Sequence, residues 1–217
     1  MGNMFVILAA LLFTGVSGGI AGSVGMGLWD ILHGYAATSY VTFSLKFGIG
    51  FFTGLVASKG NKKDAKSPVI FLAIASAFFL IVGIVFLIIA TTVGNVFDIV
   101  MIGDKPKQLV ISPFLYIFSI ILGICLLATC LLIKNISVKM QYAILGAVSG
   151  IAFNLIGEFV FKVITLVLAG SNLTPAILAS AANLPATLIN GAFSIVVALV
   201  LYAPLEKALA RSGLRLA

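Results

Sequence analysis

The feature that most constrains this chain is the length of its uninterrupted apolar runs. Between short connections, stretches of about 20 residues carry almost no charge, and at ~1.5 Å rise per residue a helix of that length spans the ~30 Å hydrocarbon core of a bilayer. A membrane barrel strand would alternate with period two. These runs do not, so the backbone has to satisfy its hydrogen bonds within helices. Composition agrees: 62% of the 217 residues are hydrophobic and 9% are charged, with a mean hydropathy of +1.26. That leaves too little polar surface to coat a water-soluble globule. The reading is an all-α integral membrane protein, a single transmembrane domain over residues 1–217.

Seven apolar spans can be marked, at 4–16, 18–32, 39–58, 68–93, 113–133, 141–168 and 175–203. The first two hold about 14 residues each, below the ~17 needed to cross alone. They are expected to tilt, to thin the bilayer locally or to form one re-entrant hairpin. The net charge of +7 does not imply a nucleic-acid partner, because the basic residues lie in connections and in the tail. Lys59, Lys62, Lys63 and Lys66 share one connection, Lys134 and Lys139 another, and Lys207, Arg211 and Arg215 the C-terminus. The positive-inside rule puts all three on the cytoplasmic side of a cell membrane and Met1 outside. The opposite connections agree: 33–38 and 169–174 lack Lys and Arg, and in 94–112 Asp98 and Asp104 offset Lys105 and Lys107.

Chemistry-bearing residues are few, and even lenient scales charge about +2.5 to +3.5 kcal/mol for an ion at the bilayer centre. Asp30 and His33 close the second span, Lys46 lies inside the third, and Glu158 and Lys162 are one turn apart in the sixth. All five fall toward the outer side. Glu158 and Lys162 read either as a mutually neutralising i,i+4 pair or as site residues. Lys46 calls for a carboxylate partner, Asp30 or Glu158. Asn154 shares the face of Glu158, while Asn183, Pro185, Thr187 and Asn190 open the last span, where a proline loosens the first turn. Together Asp30, Lys46, Asn154, Glu158, Asn183 and Asn190 form the candidate pocket, with Trp29 and Tyr35 as interfacial anchors. Gly15, Gly18, Gly19, Gly22, Gly50 and Gly54 form small-xxx-small patterns that suit close helix packing within the chain or docking of a partner membrane subunit.

Enzyme signals are weak. No Walker A loop, HExxH or acidic metal cluster is present, and neither a metal nor a cofactor is expected. Gly15-Val16-Ser17-Gly18 fits the GxSG of intramembrane serine proteases, but His33 would lie about 24 Å from Ser17 along one continuous helix, too far to serve as its base. Cys125 and Cys130 share one apolar span and read as packing residues.

Residues 2–57 resemble the substrate-binding S components of energy-coupling factor (ECF) vitamin transporters, in the branch of riboflavin, hydroxymethylpyrimidine and pyridoxine carriers. There a Gly-rich pair of short helices ends in an Asp and a Gly-Tyr turn, here Asp30 and Gly34-Tyr35, and a Thr and Lys open the next helix, here Thr42 and Lys46. The tail ILASAANLPATLINGAFSIVVALVLYAPLEKAL resembles the family's last helix, with Thr187 and Asn190 where an Asn and a Gln usually stand. The resemblance implies a bundle lacking the family's first helix and carrying an extra pair of spans in 68–134. It further implies a vitamin-capturing subunit of a bacterial ATP-driven importer, working with a transmembrane T component and two cytoplasmic ATPases, and not itself an enzyme. The alternatives are a self-contained proton-coupled secondary transporter or channel, with Glu158, Lys162 and Asp30 as coupling groups, and a non-transporting scaffold.

Overall fold

The structure is a computed structural model that describes residues 2–62, 64–92, 94, 96–99, 107–110 and 113–212. Met1, Lys63, Asp104, Lys105 and Arg215, which entered the orientation argument, lie outside the described residues. The apolar runs form helices: α1 Gly2–Leu12, α2 Gly15–Leu32, α3 Ser39–Ala57, α4 Val69–Thr92, α5 Pro113–Ile133, α6 Val138–Leu168, α7 Leu173–Ala181 and α8 Leu184–Arg211. Among the described residues the one departure from helix pairing is a short antiparallel hairpin between α4 and α5. There β1 Val96–Ile99 runs against β2 Lys107–Val110, Val96 opposite Val110. Five helical stretches are long and apolar enough to cross a membrane, and the chain is a multi-pass membrane protein.

The last apolar span is not one helix. It breaks at Ala182 and Asn183 into α7 and α8, and Pro185 explains the break. Proline lacks the N–H that would continue a helix through it, yet it fits the first turn of a new one, which is where α8 places it.

The chain divides into two compact units, Met1–Lys66 with Val138–Ala217, and Ser67–Ser137. In the first, α1 is the centre despite being the shortest apolar span. Its Val6, Ile7 and Leu11 join Ile49 of α3, Ala147 and Ile151 of α6, and Ala198 and Tyr202 of α8 in one buried cluster. Glycines bring the surrounding backbones together. A side chain at Gly50 would run into the backbone of Gly18 and Gly19, one at Gly54 into Gly15, and one at Gly15 into the carbonyls of Gly50 and Phe51. The six glycines singled out above therefore seat α2 against its neighbours, because Gly18 and Gly22 meet Ala10 and Val6 of α1, while Gly19 meets Phe47 of α3. Away from that seam, Gly60 lies against Lys139 and Tyr142, Tyr142 Oη donates to the Lys66 carbonyl at 3.1 Å, and Lys139 pairs with Glu206. These contacts gather the basic residues of the α3 turn, α6 and α8 at one end of this unit.

The second unit is a helical hairpin. Gly83 and Gly123 let α4 and α5 approach, so that Gly83 meets Ile120 and Gly123 meets Leu80. The buried Ser76 hydroxyl donates to the Gly123 carbonyl at 2.9 Å, and Cys130 Sγ lies 3.6 Å from the Val69 carbonyl. Both cysteines are free, Cys130 buried and Cys125 exposed.

Candidate functional site

The contact between α3 and α6 builds the site. Gly146 and Gly150 of α6 face the carbonyls of Thr53 and Ile49, Gly48 of α3 receives the ring of Phe153, and Gly157 receives Leu45. The close approach of the two backbones lets a polar side chain of α3 reach one of α6. Lys46, 8% exposed, donates from Nζ to Oδ1 of Asn154 at 3.1 Å, and Asn154 is itself 1% exposed.

Asn154 passes the polarity on. Its Nδ2 donates to Glu158 Oε1 at 2.8 Å, one turn along α6, and Thr187 of α8 donates to Glu158 Oε2 at 2.9 Å. The direction of this chain is forced by its ends. An ammonium has only donors and a carboxylate only acceptors, so the amide between them must turn its oxygen to Lys46 and its NH₂ to Glu158.

Glu158 borders a cavity of about 400 Å³, within the range of small-molecule sites. Its walls mix apolar surface from Val41, Phe159, Phe161 and Leu184 with polar groups from Thr42, Lys162, Ser180, Asn183 and Thr187. The α7–α8 break positions part of this wall. Asn183 stands at the break, 3.3 Å from its own backbone partner, the Ala179 carbonyl, and Ser180 is buried with its hydroxyl on the Ala176 carbonyl.

Asp30 reaches the same neighbourhood through a turn. Helix α2 ends with Tyr35 N–H on the Asp30 carbonyl at 2.8 Å and Gly34 N–H on that of Ile31, with Gly34 at φ +89°. This glycine-terminated stop needs a left-handed residue and reverses the chain into α3. The reversal lets Thr42 donate to Asp30 Oδ2 at 2.5 Å. Thr42 lines the cavity of Glu158, whereas Asp30 itself lines a neighbouring hollow with Trp29 and Met26.

Some expectations are corrected by these contacts. Lys46 bonds not to a carboxylate but to Asn154, whose amide in turn donates to Glu158. Glu158 and Lys162 are not an ion pair: among the described residues the pair within 4.0 Å is Lys139 and Glu206, and Glu158 spends its oxygens on Asn154 and Thr187 instead. Asn190 does not share the cavity, facing a separate hollow with Ala186, Ile189 and Phe193. His33 caps α2, its ring stacked on Trp29 at 4.0 Å and its Nδ1 2.8 Å from the Trp29 carbonyl. Ser180, Phe159 and Phe161 escaped the reading of the sequence. Their spacing relative to Glu158 on α6 was visible for the two aromatics, but which face of α6 met α7 was not.

A family model described as the ECF-type riboflavin transporter, S component, matches residues 1–136, which include Asp30, Thr42 and Lys46. No curated protein and no solved structure matches the chain. The resemblance drawn from the Gly-rich helices and the Asp30 turn is thus matched independently over more than half of the sequence, and the chain belongs to the ECF-type riboflavin transporter S-component family, as a substrate-binding subunit of a membrane transporter.

Proposed function

We propose that this chain captures riboflavin, or a vitamin or precursor with a similar flat heteroaromatic ring, as the S component of an ATP-driven ECF importer. The T component and two cytoplasmic ATPases would supply the drive, and ATP hydrolysis would fall to those partners. The observation that carries the reading is Glu158, held by Asn154 and Thr187 at the edge of a cavity of about 400 Å³. A carboxylate can accept about four hydrogen bonds and two are used here, so Glu158 keeps capacity for a ligand N–H or O–H. Phe159 and Phe161 offer apolar surface to a ring, and Thr42 and Asn183 offer further polar contacts. The basic end of the first unit, with Lys59, Lys62, Lys66 and Arg211, would face the bacterial cytoplasm, which turns the cavity outward.

The test is titration of the purified chain with riboflavin, read by quenching of flavin fluorescence. Saturable binding is expected. Glu158→Gln should weaken it by roughly 10- to 100-fold, the cost of losing a charge-assisted hydrogen bond, and Cys125→Ala should leave it unchanged. No binding of riboflavin by the native chain would sink the substrate assignment. In cells, uptake should require the ATPases. Flavin accumulation in proteoliposomes of the chain alone, driven by a proton gradient, would favour the secondary-transporter reading instead.

A further inference from the structure

Lys46 stood among the candidate ligand contacts, but it does not border the cavity that Glu158 faces. It is buried behind that residue, and its hydrogen bond goes to Asn154, which in turn grips Glu158. We propose that Lys46 is a positioning residue: it acts on the ligand only through Asn154 and Glu158, fixing the orientation of the amide and compensating the half-buried carboxylate. This inference rests on the reading of Glu158 as the ligand's acceptor.

A primary amide can turn either end toward a neighbour, and Asn154 without an ammonium behind it could present its oxygen to Glu158 and repel it. With Lys46 in place that orientation would set a donor-only group against the amide NH₂, so only one orientation satisfies all three residues. An anion partly withdrawn from water is also costly unless a counter-charge is near. Among the described residues, the cation buried near Glu158 is Lys46 of α3. Lys162, one turn outward on α6, is exposed. Asp30 of α2 has its carboxylate on the Thr42 hydroxyl of α3, and α8 contributes a neutral hydroxyl, Thr187.

Asn154 and Thr187 both donate to Glu158, and a carboxylate offers only acceptors, so the ligand group it receives must donate too: a ring N–H, an amine or a hydroxyl. A carbonyl or phosphate oxygen would meet repulsion there.

The test is a double-mutant cycle on the full chain, with riboflavin affinity and thermal melting as parallel readouts. Lys46→Met should weaken binding by about tenfold or more, Lys46→Arg should restore most of it, and Lys46→Met should cost less than about threefold further once Glu158→Gln is present. Equal losses with and without Glu158→Gln would overturn the proposal, since they would mean a structural role or direct contact. Melting keeps the question decidable if riboflavin is not the ligand. Lys46→Met should lower the melting temperature, and adding Glu158→Gln should recover much of the loss because the stranded charge is gone. Additive losses would refute the positioning role, whereas absence of riboflavin binding together with a coupled melt would fault the substrate assignment alone.

Discussion

At the residue scale, the site depends on which hydrogen bonds cannot be replaced by water. Thr187 is half-buried and supplies the donor to Glu158 Oε2 from α8. Thr187→Val keeps the shape and removes the hydroxyl, so riboflavin binding should weaken by roughly 5- to 30-fold, matching about 1–2 kcal/mol for a lost hydrogen bond to a charged, half-buried acceptor. Thr187→Ser should stay close to the native affinity, and a titration of the two variants side by side decides it. If valine and serine behave alike, the hydroxyl is not what holds Glu158. Thr187 stands where the family resemblance led one to expect an amide, and the structure shows how a shorter side chain is used: it orients the carboxylate on a neighbouring helix.

At the element scale, the glycines decide how near α2, α3 and α6 come to one another, and hence whether Lys46 can reach Asn154. Their roles are not equal. At Gly50 an added side chain meets backbone of α2, whereas at Gly25 nothing lies within 4 Å. Gly50→Leu should therefore destabilise the protein by about 1–3 kcal/mol or more, since helix backbones cannot yield as flexible side chains do. Gly25→Ala should be neutral or stabilise by about 0.5–1 kcal/mol, because alanine loses less backbone entropy within a helix. Thermal melting in detergent checks both. A melting point unmoved by Gly50→Leu would show that the α2–α3 seam is not tight.

At the scale of the whole molecule, the polar relay and its cavity belong entirely to the first unit, Met1–Lys66 with Val138–Ala217. The hairpin of α4 and α5 makes up the second unit, Ser67–Ser137. The two ends left by removing it are close, since the Lys66 carbonyl is 3.1 Å from the hydroxyl of Tyr142 in the second turn of α6. Replacing residues 67–137 by a short Gly-Ser linker should then preserve riboflavin affinity within about threefold, as expected when a compact excursion is excised from a surface connection. Loss of binding in a variant that still melts cooperatively would show that the hairpin supports the site.

What the sequence determined by itself was the solvent, the secondary structure and the kind of residue to look for. Apolar runs of membrane length leave the backbone no option but helices, and scarcity alone marks Glu158, Lys46 and Asp30, because each charge in such a chain must be compensated. The Pro185 signal also lies in the sequence, as a loosened first turn, although the full break into α7 and α8 emerges only once α7 is seen as a separate helix. The tertiary structure decided the partnerships. Sequence spacing reports neighbours one turn apart on a single helix, and on that basis Lys162 was the natural partner of Glu158. The actual partner set crosses three helices, α3, α6 and α8. It arises because glycines at the α3–α6 contact set a backbone separation that only the packed bundle defines.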